Sequence, residues 1–179
     1  MKKIITSTIV AAVIGTSAFA NPGSLSGTQI GYSSNTSNTL VSSDHTSGGL
    51  YMGIDLIKML DSLPGFGIGI GSDFNVWEGP NSKGIADDKG SIYTYGIMAK
   101  AGYTFENSYN IPLRLKAGIG YGALSLPVAA EWGMQYDASA EYMISNKFGL
   151  GVKYKHAQAD ILGTTNTVNS TIGFVSFGF

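Results

Sequence analysis

The sequence contains no cysteine and few charged residues. Asp, Glu, Lys and Arg make up 13% of its 179 residues, where soluble domains carry roughly 25%. Without cysteine the chain has no disulfide, thiolate metal site, cysteine nucleophile or lipidated cysteine anchor. The low charge content indicates that much of the surface faces something other than water.

The sequence also lacks an apolar run long enough to cross a bilayer as a helix, which takes ~20 residues. At the start, Met1-Lys2-Lys3 precedes a mostly apolar run over residues 4–14, and Ala18-Phe19-Ala20 follows it. This order of basic, apolar and small residues is typical of a secretory signal peptide. We predict a signal peptide over residues 1–20 and a single mature domain over residues 21–179.

The predicted mature chain is weakly acidic. Once Lys2 and Lys3 are removed, 9 basic residues face 12 acidic ones, a formal net charge of about −3. That balance gives no indication of a nucleic-acid partner. The glycine-rich stretch at 65–71 has a period of two and lacks the Lys-Ser/Thr pair of a phosphate-binding loop. We therefore predict no cofactor.

Apolar and polar residues alternate with a period of two along most of the mature chain. The clearest case runs from Tyr93 to Phe105, where Tyr93, Ile97 and Phe105 share one face with alanines, and Lys100 lies on the other. Such alternation is typical of a β-strand with two unlike faces. Seven more segments show it: 28–34, 50–56, 66–76, 111–122, 132–144, 148–155 and 171–179.

Eight such segments, an even number, predict an all-β fold, an eight-stranded antiparallel up-and-down transmembrane β-barrel. Each predicted strand has about the 9–11 residues that a tilted strand needs to cross a bilayer. The predicted connections alternate in length. Those at 61–64, 106–110 and 145–147 are short and those at 35–46, 79–89, 124–130 and 161–166 are longer on average. This predicts periplasmic turns, four extracellular loops and both termini on the periplasmic side.

Alternation alone does not say which face is outside, because a soluble barrel with an apolar interior has the same period. Aromatic residues at both ends of the apolar face favour the membrane, since they form the girdles that border a bilayer. The glycine-rich opposite face would be unusual on a water-exposed surface. We predict this aromatic girdle: Tyr93, Tyr95, Tyr103, Phe105, Tyr121, Trp132, Tyr142, Phe148 and Tyr154.

The inward positions carry equal numbers of acidic and basic residues. Buried charges are tolerated when they are paired and hydrogen-bonded, and an eight-stranded barrel is narrow enough for side chains to fill. We interpret these charges as a structural ion-pair network, with an ion path as the alternative. The predicted members are Asp55, Asp73, Lys100, Glu106, Arg114, Lys116, Asp137, Glu141, Lys153 and Lys155.

The end of the chain resembles that of small eight-stranded outer-membrane barrels of the opacity-protein and OmpA transmembrane-domain type. Phe177 and Phe179 look like the C-terminal signal read by the barrel-assembly machinery, and the run Gly151-Val152-Lys153-Tyr154-Lys155 is similar to a penultimate strand of such barrels. The resemblance implies a place in the bacterial outer membrane. It also implies outer-membrane lipid, lipopolysaccharide and the assembly machinery as partners.

His156 is the sharpest catalytic candidate. Its position looks like that of the histidine in the lipid A 3-O-deacylase family, whose His-x-Ser motif and later acidic residue form a hydrolytic triad. Here Gln158 stands in place of the serine, and no Asp or Glu follows Asp160. Because two of three triad members are missing, we predict no catalytic residue. His45 beside Asp44 gives too few ligands for a metal site.

Three hypotheses about function follow. The first is a non-enzymatic, adhesin-like outer-membrane barrel that stabilises the envelope and presents loops to a host ligand or to lipopolysaccharide, because loops on rigid scaffolds carry function. The second is a narrow porin-like channel for small solutes. The third, disfavoured by the missing serine and acid, is a lipid A-modifying hydrolase.

Overall fold

The computed structural model describes residues 25–39, 42–78, 91–105, 113–126, 129–145 and 147–178. The side chains at 39, 42–45 and 78 lie outside the description. The strands are β1 (Gly27–Thr39), β2 (Ser42–Met59), β3 (Phe66–Glu78), β4 (Ser91–Phe105), β5 (Leu113–Ser125), β6 (Ala130–Ser145), β7 (Phe148–Ile161) and β8 (Thr164–Gly178). Among the described residues, no helix is long and apolar enough to cross a membrane.

Each strand pairs antiparallel with its neighbours in the sequence, and β1 also pairs with β8. The sheet is therefore a closed barrel in which every described strand has a partner on both sides. Successive side chains of a strand point to opposite faces of the sheet. In a closed barrel, one half of the side chains therefore points outward and the other half points inward. The predicted fold class, an eight-stranded antiparallel up-and-down barrel, is confirmed.

The strand register shows how the barrel is sheared. Residues paired across neighbouring strands form rows perpendicular to the strands, and a row can be followed around the barrel. The row that starts at Gly27 of β1 passes through Asp55, Gly71 and Met98 and returns to β1 at Ser37, ten residues farther on. A row followed from β1 towards β8 thus climbs from the near end of the barrel, which holds Gly27 and Gly178, towards the far end. This shift requires the strands to tilt.

The predicted division into two faces is confirmed. In β4, Ile97 is 62% exposed while the next residue, Met98, is 1% exposed, and the same alternation runs through β5 and β6. The exposed face is the apolar one, with Ile, Leu, Tyr and Trp side chains. The small barrel has no room for these large side chains together with the charges of the opposite face.

The strands are longer than predicted. They have 13 to 18 residues, because pairing continues past the apolar stretch at the far end. Residues 35–46 were predicted as a loop, but β1 runs on to Thr39 and β2 begins at Ser42. Both faces of this extension are rich in Ser, Thr and Asn, so the alternation of polarity that identified the other strands is missing there.

The predicted loop at 161–166 is also wrong. Only Leu162 and Gly163 connect β7 to β8, with φ angles of 51° and 75°. Two successive positive φ values are typical of the tight hairpin turns whose twist matches that of the strands. β5 likewise extends to Ser125, into the predicted 124–130 loop.

The predicted alternation of connection length is therefore not observed. At the far end, β1–β2 and β7–β8 are joined by two residues each and β5–β6 by residues 126–129, while residues 79–90 join β3 to β4. At the near end, residues 60–65, 106–112 and 146–147 join the strands. Residues 79–90 and 106–112 lie outside the described residues. The far end thus carries one long connection, and its other three connections have two to four residues.

Replacing Ala117 tests which face meets lipid. Ala117 is exposed on β5 between Leu115 and Ile119. If this face meets hydrocarbon, Ala117→Lys lowers the free energy of unfolding in bilayers by ~2–4 kcal/mol near the midplane. The control is Thr165→Lys, at the exposed far end of β8, which should change it little. Equal small effects for both would contradict the assignment.

Candidate functional site

The charged residues at inward positions lie together in the barrel interior. Nine of the ten predicted charges lie in the described part of the chain, and none of these nine is more than 5% exposed. Glu106 lies outside the described residues. The nine come from six strands, β2 to β7, and meet because alternate side chains of every strand point to one axis.

Lys100 lies at the centre of the interior network. Its Nζ forms an ion pair with Asp137 and lies 3.9 Å from Asp55 Oδ1. Lys116 Nζ lies 3.1 Å from Asp55 Oδ2 and 3.3 Å from Glu141 Oε2. Because each of these lysines contacts two carboxylates, the network connects β2, β4, β5 and β6 across the barrel.

Glycines on the inner wall provide the space for this network. A Cβ added to Gly71 would lie 2.6 Å from Asp55 Oδ1 and 2.7 Å from Lys100 Cε. A Cβ added to Gly118 would lie 2.7 Å from Lys100 Cδ and 2.9 Å from Asp137 Oδ1. Real Cβ atoms do not approach other atoms so closely, so the lysine can lie against the wall only where the wall has no side chain.

Tyr51 and Gln29 extend the network with neutral groups, which the sequence analysis did not identify. Lys153 Nζ lies 3.6 Å from Asp137 Oδ2 and donates hydrogen bonds to Gln29 Oε1 (2.7 Å) and to the Tyr51 hydroxyl. The Tyr51 hydroxyl donates to Gln29 Oε1, and Gln29 Nε2 donates to Asp55 Oδ2 at 3.0 Å. The inward parity of both residues was the only sequence signal for this role.

Asp73 and Lys155 form a separate ion pair nearer the far end. Lys155 Nζ also donates a hydrogen bond to Thr94 Oγ1 at 3.3 Å. Among the described residues, Lys155 is the only cation within ion-pair distance of Asp73. Arg114 is buried opposite Glu141 in the β5–β6 register.

A layer of uncharged polar side chains lies beyond the ion pairs, towards the far end. Asn75 Nδ2 donates to Asn35 Oδ1 at 2.8 Å and to Ser170 Oγ at 3.1 Å, while Ser33 Oγ donates to Asn75 Oδ1 at 2.8 Å. All four residues are at most 2% exposed. Their mutual hydrogen bonds satisfy the buried polar groups without charge.

Apolar side chains close the far end of the interior. They form one buried cluster: Trp77, Ile92, Leu124, Leu126, Ala159, Ile161 and Val168. At the near end, Leu25 is fully buried, and a Cβ added to Gly67 or Gly102 would lie 3.1–3.2 Å from its Cδ1. The interior is therefore occupied from end to end by an apolar cluster, an amide layer, ion pairs and a leucine.

The outer wall carries aromatic contacts near both ends. At the far end Trp132 packs edge-on against Tyr95 at 5.3 Å and stacks on Tyr121 at 6.0 Å between ring centroids. At the near end, the described contacts include these pairs: Tyr103–Phe105 at 4.6 Å and Phe148–Phe177 at 5.9 Å. Tyr93 and Tyr142 lie exposed at the far and near ends, and Tyr154 lies between the two bands.

His156 lies on the outer wall of β7. Its Nδ1 is 2.7 Å from Asn169 Oδ1, and its ring stacks on Tyr136 with centroids 4.7 Å apart. The sequence search for a partner of His156 considered only acids and missed Asn169, an amide thirteen residues later on the neighbouring strand. Gln158 is exposed two residues along the same face. No Ser or Thr of the described residues hydrogen-bonds to His156.

Among the described residues, no cluster of three or more His, Cys, Asp or Glu side chains could hold a metal ion. The side chain of His45 and residues Asp87 and Asp88 lie outside this description.

Comparison with known proteins identifies one family and several structural neighbours. The family described as "outer membrane protein beta-barrel domain" matches residues 6–178. A search of curated proteins gives no significant match. The outer-membrane enzyme PagL aligns with a TM-score of 0.60 and 14% identity, covering 84% of this chain and 99% of PagL.

Two other structures align over similar lengths. Neisserial surface protein A gives a TM-score of 0.53 at 13% identity, covering 87% of this chain and 98% of that protein. Ail of Yersinia pestis, solved with the heparin analogue sucrose octasulfate, gives 0.49 at 15% identity, covering 85% and 96%. At these identities the PagL and Neisserial likenesses concern the fold alone, and the Ail alignment is too weak to support an argument.

Removing one member of the Asp73–Lys155 ion pair tests whether the interior charges are structural. Lys155→Met leaves Asp73 as a buried carboxylate without its cation, and should lower the free energy of unfolding by ~3–5 kcal/mol. The double variant Lys155→Met with Asp73→Asn removes both charges and should recover much of that loss. Urea unfolding in detergent measures both. A double variant that is less stable than the single one would contradict the pairing.

Proposed function

This chain belongs to the outer-membrane protein β-barrel domain family, and we propose that it acts as a closed, non-enzymatic barrel with an envelope-stabilising and surface-contact role. The chain lies in the bacterial outer membrane, where its apolar outer face contacts lipid. In this location the two ends of the barrel meet different compartments. We place the near end of the barrel, where β1 starts and β8 ends, in the periplasm and the far end outside the cell.

The filled interior is the observation that carries this proposal. A solute crossing the barrel would have to displace the apolar cluster around Trp77 and Ile92, then the amide layer around Asn75, then the ion pairs of Lys100. Separating a buried ion pair costs several kcal/mol. Eight-stranded barrels are narrow enough for side chains to fill them. This supports a structural interior over a narrow porin-like channel.

Surface contact would be made by the far end of the barrel. Residues 79–90, with Asp87 and Asp88, form its one long connection, and β1, β2 and β8 extend there with hydroxyl and amide side chains such as Thr46, Thr167 and Asn38. Thr36 and Thr46 share a hydrogen bond of 3.3 Å between their hydroxyls. Hydroxyl and amide groups are suited to hydrogen bonding with sugars of lipopolysaccharide or of a host surface.

Export and assembly complete the proposal. Residues 1–20 would be removed as a signal peptide, leaving residues 21–179 as the barrel domain. Phe177 packs against Phe148 at the near end, where the barrel-assembly machinery would meet the last strand as it closes on β1. Phe179 lies outside the described residues.

A lipid A-modifying hydrolase is a second candidate, supported by one contact. The 2.7 Å separation between His156 Nδ1 and Asn169 Oδ1 orients the imidazole as the third member of a triad orients its base. The described residues around His156 provide no nucleophile, because Gln158 lies where that chemistry needs a hydroxyl. A mass change in lipid A that depends on His156 would establish the enzyme and overturn the non-enzymatic proposal.

Conductance separates the closed barrel from a channel. Because the interior is occupied from end to end, the purified protein in planar bilayers should give no ion current above the lipid background. The folded state of the protein is checked by its gel mobility, measured on samples that have not been heated. Reproducible single-channel steps from folded protein would contradict the closed interior.

Deletion tests the envelope and surface roles together. Loss of the gene should raise envelope permeability to large antibiotics and detergents, because the barrel reinforces the membrane, and should lower binding of the cells to host surfaces. Complementation with a chain in which a two-residue Asn-Gly turn replaces residues 79–90 should restore the barrier and leave adhesion low. Normal permeability and adhesion in the deletion strain would contradict the proposal.

A further inference from the structure

A shallow groove crosses the lipid-facing wall from β4 to β8. It encloses about 680 Å³, and its surface is almost entirely apolar. The outward residues of its floor are small, namely Ala101, Ala117, Ala138 and Ala140, while Tyr103 and Leu115 border it on the near-end side. Large side chains cover the wall on either side, so the groove is a place where a chain-like molecule can approach the sheet closely.

The groove follows one row of the barrel. Ala101 pairs with Ala117, Ala117 with Ala138, Ala138 with Tyr154, and Tyr154 with Thr171. Rows followed from β4 to β8 climb towards the far end, as the ten-residue shift of the closed register requires. The groove is therefore oblique to the membrane, with its upper end at Tyr154 and Thr171.

A polar cluster lies directly above that upper end. In the next row, Tyr136, His156 and Asn169 are paired neighbours. Asn169 Oδ1 accepts a hydrogen bond from the Tyr154 hydroxyl at 2.8 Å and is 2.7 Å from His156 Nδ1. An amide oxygen can only accept, so Nδ1 of His156 carries the hydrogen.

This tautomer defines what the cluster offers to a ligand. In the neutral imidazole with Nδ1 donating, Nε2 of His156 is an acceptor, and the Asn169 amide nitrogen is a donor. One acceptor beside one donor complements a hydroxyl or a secondary amide, each of which donates and accepts. Among the described residues, no Lys or Arg lies on the outer wall next to this cluster, so a bare phosphate is matched less well.

We propose that the groove binds an acyl chain of an outer-leaflet lipopolysaccharide molecule, with a hydroxyl or amide of that lipid hydrogen-bonded to His156 and Asn169. The groove is continuous with the established lipid-facing wall, and its polar end is the end nearest the cell exterior in the topology given above. A chain running down from the outer leaflet thus follows the groove from Thr171 towards Ala101. The inference depends on that topology and not on adhesion or on a closed interior.

Native mass spectrometry of the whole mature barrel, extracted from outer membranes and washed in mild detergent, tests this proposal. Wild type should retain one lipopolysaccharide-derived lipid. Ala138→Leu fills the groove floor and should reduce retention about tenfold, a loss of about 1.4 kcal/mol in binding. Ala99→Leu makes the same change at an exposed position of β4 outside the groove and should retain lipid as wild type does.

The polar end is tested with two single-chain probes added in mild detergent to delipidated barrel: N-myristoyl ethanolamine, which has an amide and a hydroxyl, and myristyl phosphate. Wild type should bind the ethanolamide more tightly, and Asn169→Ala should remove that preference while Ala138→Leu weakens both probes. Retention of phospholipid alone, a dimer joined through this wall, or equal retention in Ala138→Leu and Ala99→Leu would each overturn the proposal. Unchanged heat-modifiable gel mobility of every variant shows that the comparison concerns folded barrels.

Discussion

The structure depends on a constraint set by the solvent: in hydrocarbon, an unpaired backbone N–H or C=O costs several kcal/mol. Pairing between β1 and β8 meets this constraint, because it removes the only two edges that the sheet would otherwise expose. Closure of eight strands fixes a narrow cylinder, and alternation then sends half of the side chains to lipid and half to the axis. The same register that closes the sheet also makes its rows climb, and this slope gives the outer wall its oblique groove.

The interior follows from closure. In a barrel this narrow, inward polar side chains from different strands lie within reach of one another and can pair. Lys100 and Lys116 do so by contacting two carboxylates each, and Gly71 and Gly118 leave the wall bare where Lys100 lies. Charge pairing inside and lipid contact outside are therefore two consequences of one geometry. This geometry supports the proposal of a barrel that works through its surfaces.

The sequence predicted the features that depend on the contrast between the two faces. Strands such as β4 and β6 alternate fully because one face meets lipid, and their faces were predicted correctly. The far ends of β1 and β2 were missed because there both faces are polar, so pairing continues without contrast. Partners on neighbouring strands were missed for a different reason. Asn169 meets His156 only through the β7–β8 register, which periodicity within one strand does not reveal.

Single-cysteine labelling tests the orientation of the wall most directly, because the chain has no cysteine of its own. Ala138 and Ser139 are adjacent in β6, with Ala138 exposed to the outside and Ser139 buried inside. In proteoliposomes, photolysis of a lipid-soluble diazirine, whose carbene inserts into an S–H bond and needs no thiolate, should label Ala138→Cys and spare Ser139→Cys, and a charged, water-soluble maleimide should react with neither. Labelling of Ser139→Cys by the water-soluble reagent, or of Ala138→Cys by that reagent alone, would contradict the account.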